Sequence, residues 1–308
     1  MDFKNADILS TEQFDRVSLE HLFEVALKME PFAKKEKKGD LMNGKILASL
    51  FYEPSTRTRF SFETAMKRLG GETISATEIA SSSIFKGETL ADTAKVVEKF
   101  ADVIAIRHPE SGSAQVFADN ASIPVLNAGD GPNQHPSQSL LDMYTIKKEC
   151  GKIDGLTIAM VGDLKYGRTV HSLSLLLRHY DVKIVLVSPD ELKMPKEYLE
   201  KFDEKGLAYE EISDLTEAAK KSDVIYMTRV QKERFTDLNE YEKLKNAFVM
   251  SRGLIEEANK KAIIMHPLPR IGEISLDMDD FAGSAYFRQV ENGVAVRMAM
   301  ISLVLGKA

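Results

Sequence analysis

Short apolar runs alternate with amphipathic stretches along almost the whole chain. Leu19, Leu22, Phe23, Ala26 and Leu27 recur at helical spacing behind Ser10-Thr11-Glu12-Gln13, which has the form of a capping box. Residues 46–51 read as a buried strand that passes through Glu53-Pro54-Ser55-Thr56-Arg57-Thr58 into a helix ended by Gly70-Gly71. Further strands are predicted over 73–77, 102–107 and 123–127, with helices near 89–100, 112–120 and 136–149. A second series follows Gly151, with strands at 156–162, 182–187, 223–228 and 262–266. Its helices lie near 168–180, 195–205, 214–221 and 239–246, and a last helix runs over 290–305. Strands separated by helices of ten or more residues imply parallel sheets covered on both faces. The expected fold class is therefore α/β, two doubly wound parallel-sheet domains in tandem. No low-complexity linker separates them, and no repeat of solenoid length is present.

Composition narrows the picture. A chain of 308 residues is long enough for about two domains and buries its core without staples. The 41 basic and 47 acidic side chains give a formal charge of -6, which lacks the basic surplus of a protein that grips nucleic acid. Bound anions would need a local cluster of cations. One cysteine, Cys150, excludes an internal disulfide or a cysteine-based zinc site and suits a reducing, cytoplasmic compartment. Nothing reads as a signal peptide or membrane span.

Ligands of open α/β sheets sit beyond the carboxyl ends of the strands, so the polar loops after strands carry the candidate chemistry. Ser55-Thr56-Arg57-Thr58-Arg59 opens a helix, where unpaired N–H groups, hydroxyls and guanidiniums together suit a phosphate. Taken alone, it reads equally as an N-cap with solvated arginines. Ser81 to Thr89 is either an anion-binding flap or a solvated turn. Arg107-His108-Pro109 ends a strand, and in the segment 129–138 a helix opened by Pro136 would put His135 and Gln138 on one face. Gly162 to Thr169 approaches the phosphate-loop pattern, but Arg168 stands where lysine is needed, so the ATPase and dinucleotide readings are weak. Arg229-Val230-Gln231 and His266-Pro267-Leu268-Pro269-Arg270 follow later strands. The chain offers no metal-ligand spacing and no defensible nucleophile–base pair. Its inventory suits an anionic substrate and a developing oxyanion.

As a set, these segments resemble the transcarbamoylases. Phe51-x-Glu53-x-Ser55-Thr56-Arg57-Thr58, Lys86-Gly87-Glu88-Thr89, Arg107-His108-Pro109, His135-Pro136-x-Gln138 and His266-Pro267-Leu268-Pro269 occur in that family's order. Pro267 and Arg229-Val230-Gln231 resemble the aspartate-specific branch rather than the ornithine-specific one. The resemblance implies carbamoyl transfer from carbamoyl phosphate to L-aspartate for pyrimidine synthesis, with no cofactor and no metal. It implies phosphate binding by Ser55, Thr56, Arg57, Thr58 and Arg107, with Ser82 and Lys86 reaching in from a neighbouring subunit. The carbamoyl group would meet Thr58, Arg107, His135, Gln138 and the Leu268 backbone ahead of a cis bond to Pro269. Aspartate would meet Lys86, Arg168, Arg229 and Gln231, and Thr58, Arg107, His135 and Lys86 would act in catalysis. Glu53 resembles a residue that pairs with Arg168 and Arg234 on closure.

The implied domains are 1–136 with 289–308 for carbamoyl phosphate, completed by the C-terminal helix, and 137–288 for aspartate. The implied partners are the two substrates, two further copies in a homotrimer with shared sites, and the zinc-bearing regulatory chain that many relatives carry. No nucleic acid or membrane is expected. Transfer to another acceptor such as ornithine, or a non-catalytic phosphate-sensing module, are the alternatives.

Overall fold

The structure, a computed structural model, describes residues 1–77, 87–232, 235, 237–245, 247–258 and 261–308. It separates into two compact units, Met1–Tyr144 with Val290–Ala308, and Thr145–Gln289. The expected boundaries at 136/137 and 288/289 differ from these because two long helices, Pro136–Cys150 and Tyr286–Val304, run through the points of division.

In the first unit, β1 (Ile46–Phe51), β2 (Glu72–Ala76), β3 (Val103–His108) and β4 (Val125–Asp130) form a parallel sheet in the order β2-β1-β3-β4. The helices are α1 (Arg16–Ala33), α2 (Thr56–Arg68), α3 (Leu90–Val97) and α4 (Ser113–Asn120), with parts of α5 (Pro136–Cys150) and of the C-terminal helix. Successive strand residues point to opposite faces. Ala48, Leu50, Ile104 and Ile106 pack with Ala94 of α3 and with Ala114 and Phe117 of α4. Ser49, on the other face, donates to Glu63 of α2 at 3.0 Å. The sheet is thus covered on both sides.

The second unit carries β5 (Thr157–Val161), β6 (Lys183–Val187), β7 (Ala208–Ile212), β8 (Val224–Met227) and β9 (Ile263–Met265), parallel and in the order β7-β6-β5-β8-β9. Its helices are α6 (Arg168–Leu177), α7 (Lys196–Asp203), α8 (Leu215–Lys221), α9 (Leu238–Leu244) and α10 (Arg252–Ala258). One face of the sheet packs on α8 and α10 through Val161, Val185, Ile225, Ala218, Ala219 and Ile255. Ile158, Met160, Ile184, Leu186 and Tyr226 point to the other face and are equally buried. The C-terminal helix is α11 (Tyr286–Val304).

Several local expectations need correction. The capping box at Ser10 and Gln13 exists but caps a single 3-10 turn, whereas α1 has its own cap at Asp15 and Ser18. Leu27 is 62% exposed. At roughly 100° per residue it turns out of the stripe formed by Leu19, Leu22, Phe23 and Ala26. Two elements, β7 and α10, have no counterpart in the hydrophobic pattern. Asp130 lies inside β4 rather than in the loop after it. Among the described residues no helix is long and apolar enough to cross a membrane.

Candidate active site

Three adjacent strands of each sheet deliver the predicted site residues. In the first unit these are β1, β3 and β4. Phe51 faces Arg107 in register, and the Tyr52 N–H donates to the Arg107 carbonyl at 2.8 Å, so the loop entering α2 leaves the sheet beside Arg107. Ser55 is the N-cap of α2 with extended backbone, and its hydroxyl makes no capping bond. Thr56 and Arg57 are exposed and Thr58 is buried. The first-turn N–H groups of a helix lack intrahelical acceptors and sit at the positive end of its dipole, an arrangement that attracts anions. Arg107 is nearly buried and donates through Nε to Glu53 at 3.1 Å. Burial pulls its guanidinium down against the opposing field of Glu53. Glu53 thus has an acidic role inside this unit, and Arg234, one of its expected partners, lies outside the described residues.

The segment after β4 is wired from within. Asp130 is buried and accepts from the Gly112 N–H at 2.9 Å, the side-chain amides of Asn127 and Asn133 at 2.9 Å, and the Gln134 N–H at 3.0 Å. Gly131, at φ +54, donates to the His108 carbonyl at 2.8 Å, and a Cβ there would run into the Pro109 carbonyl. This lashes the turn to the end of β3 and sets the approach of Pro136, which opens α5 as expected. His135 and Gln138 are both buried, and the Gln138 N–H donates to the His135 carbonyl at 3.0 Å. The Gln138 amide donates in turn to the fully buried Asp142 at 2.9 Å. Asp142 lies in the field of Arg297, which stacks over Phe62 with its Cζ 5.1 Å from the ring centroid.

In the second unit the corresponding strands are β5, β8 and β9. Gly162 follows β5 at φ +112, and a Cβ there would strike the Thr228 carbonyl, so the ends of β5 and β8 approach closely. Asp163, fully buried, accepts the Tyr166 N–H at 2.9 Å and the Gln231 N–H at 3.2 Å. It therefore ties the loop ahead of Arg168 to the loop bearing Arg229 and Gln231. Burial pushes its carboxyl up, opposed by the Tyr166, Gln231 and Lys165 N–H groups and by Arg229. The Gln231 amide adds a bond to the Tyr166 carbonyl at 2.9 Å. His171, stacked on Tyr198 with ring centroids 4.1 Å apart, donates to the Leu164 carbonyl at 2.7 Å. Burial lowers its pKa to about 4, with the Leu164 bond opposing. Arg168 is the first residue of α6 behind Gly167. After β9, the Leu268-Pro269 bond is cis and Leu268 has φ +56.

Ser82 and Lys86 lie outside the described residues. Asp130, Asp142 and Asp163 were not among the sequence candidates, because their partners are backbone groups or residues that only the fold brings near. Among the described residues, no group of three His, Cys, Asp or Glu side chains is arranged to hold a metal ion.

Each sheet therefore gathers hydroxyl, guanidinium and amide donors at the carboxyl ends of strands where its order reverses, the usual ligand position of such folds. The sequence matches the family model for the aspartate/ornithine carbamoyltransferase carbamoyl-P binding domain over residues 6–148. It matches the Asp/Orn binding domain of the same family over 154–304. The chain belongs to the aspartate/ornithine carbamoyltransferase family. Within it, the chain is 51% identical over 306 residues to a protein of Thermococcus kodakarensis named aspartate carbamoyltransferase catalytic subunit, covering 99% of both chains. The catalytic subunit of M. jannaschii aspartate transcarbamoylase shares its fold at a TM-score of 0.91 and 48% identity, covering 96% of this chain and 97% of that one. The Trypanosoma cruzi aspartate transcarbamoylase, solved with carbamoyl phosphate and aspartate, matches at 0.92 and 41% identity over 98% of each chain.

Proposed function

We propose that the protein is a transferase that moves the carbamoyl group of carbamoyl phosphate to the amine of L-aspartate. The products are N-carbamoyl-L-aspartate and phosphate, an early step of pyrimidine synthesis. The observation that carries this reading is the 51% identity over 99% of both chains with a relative named for that activity. Pro267 and the Arg229-Val230-Gln231 loop agree with aspartate as acceptor.

In this reading the first unit takes carbamoyl phosphate and the second takes aspartate. Ser55, Thr56, Arg57, Thr58 and Arg107 hold the phosphate. Gln138, the Leu268 backbone and the turn at Pro269 hold the carbamoyl group. Arg168, Arg229 and Gln231 meet the two carboxylates of aspartate. The amine nitrogen attacks the carbamoyl carbon, the bond to the phosphate oxygen breaks, and the departing phosphate takes the amine's proton. No protein nucleophile is needed. Thr58, Arg107 and His135 donate to the carbonyl oxygen as it gains charge, a contribution worth about 10²–10³ in rate per donor in comparable sites. Holding two anions side by side explains a concentration of arginines in an acidic protein, and their alignment supplies much of the remaining acceleration. A product assay with carbamoyl phosphate and a panel of amino acids tests this. Turnover on L-aspartate far above that on L-ornithine is expected, and comparable rates, or turnover on ornithine alone, would overturn it.

The reading extends to a cytoplasmic homotrimer in which Ser82 and Lys86 of one chain complete the site of the next, with a zinc-bearing regulatory chain as a further partner. Refolding Lys86→Ala and Arg57→Ala chains together tests the sharing. Each parent should be nearly inactive, and mixed rings should recover up to about a third of full activity through their intact interfaces, as ring closure requires. Mixed trimers as inactive as their parents would show that the flap serves its own chain.

A further inference from the structure

The segment from His266 to Glu273 is closed on itself by two buried side chains. His266 Nε2 lies 2.6 Å from Glu273 Oε1, and His266 Nδ1 lies 2.7 Å from the main-chain nitrogen of Leu268. His266 is 1% exposed and Glu273 4%. A backbone N–H can only donate, so Nδ1 must present its lone pair. The single proton of a neutral imidazole then sits on Nε2 and points at the carboxylate. An imidazolium would set two N–H groups against each other at Leu268. Glu273 Oε2 also accepts the Gly272 N–H at 3.0 Å and the Ile271 N–H at 3.2 Å, and the His266 N–H is held by Gln289 at 3.0 Å. Burial alone would raise the Glu273 carboxyl, but the bonds from His266 and the Gly272 N–H hold it below the usual carboxylate range, so it stays charged. Leu268, the residue this arrangement grips, has φ +56 in a region that L side chains rarely adopt.

We propose that His266 is a positioning residue for carbamoyl transfer: as the Nε2-protonated imidazole fixed by Glu273, it accepts the Leu268 N–H and so sets the direction of the Leu268 backbone toward the carbamoyl group. This rests on the reading of the Leu268 backbone as a carbamoyl contact. His266 touches no reacting atom. It acts through the φ of Leu268, much as an outer hydrogen-bond partner orients a ligand. Without the Nδ1 acceptor, the Leu268 N–H would turn to find another partner and carry the peptide with it.

Two amide replacements separate this role from a merely structural one. In His266→Asn, Oδ1 stands near the place of Nδ1 and keeps the acceptor for Leu268, while the donor to Glu273 is lost. In His266→Gln, the terminal amide reaches the place of Nε2 and keeps the donor to Glu273, while the acceptor for Leu268 is lost. The expected kcat of His266→Gln is about 10²-fold below wild type, the scale of a misplacement of about 1 Å, with KM for aspartate nearly unchanged. His266→Asn should stay within about tenfold. Thermal midpoints should run the other way, because a buried carboxylate that loses its donor is costly. If kcat follows the thermal midpoint, with Gln above Asn, His266 is only structural and the proposal is wrong. Should neither variant fold, the nitrogen-15 shifts of histidine in the wild-type protein decide the matter: a protonated Nδ1 on His266 overturns the proposal, and a lone pair there supports it. A wild-type protein that transfers nothing to aspartate would remove the functional reading and this inference together, whereas an active wild type with the reversed order removes this inference alone.

Discussion

The starts of α2 and α6 follow the same local plan and are supported in opposite ways. Each helix follows an inner strand of its parallel sheet, begins with hydroxyl and arginine residues, and lacks a side-chain capping bond, Ser55 making none on α2 and Gly167 having no side chain to make one on α6. At α2, the Ser55-Thr56-Arg57 face is turned outward, with Thr56 and Arg57 exposed. At α6, the loop is held from beneath. Asp163 binds its N–H groups, His171 binds the Leu164 carbonyl, and Gly167 leaves no room for a Cβ beside the Asp163 carbonyl. In the proposed function the helix terminus is one device with two uses: at α2 its own N–H groups and hydroxyls are the binding surface, while at α6 the scaffold aims one guanidinium. The α2 start should therefore be sensitive in ligand binding and tolerant in stability, and the α6 start should be sensitive in stability and in its response to acid.

The largest expected effect is at the exposed start. In the proposed function Arg57 is a charged phosphate donor, so Arg57→Ala should lower kcat/KM by about 10³-fold, the upper range for loss of a charge-assisted contact at a reacting centre. Its thermal midpoint should stay close to wild type. Next comes Arg229→Ala, which should raise KM for aspartate by about 10²-fold, since truncating one partner of a desolvated charge pair costs about 2–5 kcal/mol. Carbamoyl phosphate binding, read by calorimetry, should be nearly intact in Arg229→Ala and lost in Arg57→Ala. The reverse assignment would mean that the two units serve the opposite substrates.

Much of this division was open to reading before any coordinates. The central strands β1 and β5 stand out because both their faces are buried, so their sequences are nearly continuous apolar runs. The edge strand β7 does not, because the adjacent Glu210 and Glu211 break both an apolar run and a period-2 alternation, and Glu210 pairs with Lys183 of β6 at 3.1 Å. Short, charged edge strands are common and leave no hydrophobic signal. The donors of the site were legible because they are arginines, hydroxyls and a histidine at strand ends. Their supports were not. Asp163 acts on the N–H of Gln231, 68 residues away, and Asp130 acts on four groups, one from its own strand and three from two loops. A lone buried carboxylate carries no sequence mark that separates it from a surface one, and neither period nor motif encodes which distant amides it will collect.

The buried histidine beneath the α6 start gives the third effect. The fold lowers the His171 pKa from 6.5 to about 4, mainly because burial disfavours the imidazolium. The folded protein therefore binds fewer protons than the unfolded chain between those values. Stability from this group is complete above pH 6.5 and drains away as pH falls toward 4, by up to about 3 kcal/mol. Denaturant midpoints measured from pH 7 to 4 should show that loss in wild type, and the slope should flatten in His171→Asn even though that variant is less stable at pH 7. An unchanged slope in the variant would assign the acid sensitivity to other groups.

The smallest effect is the sharpest test of the contrast. Replacing a serine that caps a helix costs about 1 kcal/mol, and Thr89, whose hydroxyl accepts the Asp92 N–H at 3.0 Å at the start of α3, supplies the reference case. Ser55 occupies the same N-cap position on α2 without that bond. Ser55→Ala should therefore shift stability by less than about 0.5 kcal/mol, which is within about 2 °C of midpoint for units of this size. Thr89→Ala should lose about twice that or more. The same Ser55 hydroxyl is free of a structural duty and available to a phosphate oxygen, so KM for carbamoyl phosphate should rise up to about tenfold, the scale of one hydrogen bond to a charged group. If Ser55→Ala destabilises as much as Thr89→Ala while leaving that KM alone, Ser55 is an ordinary cap and the α2 start is not the open donor surface that distinguishes it from α6.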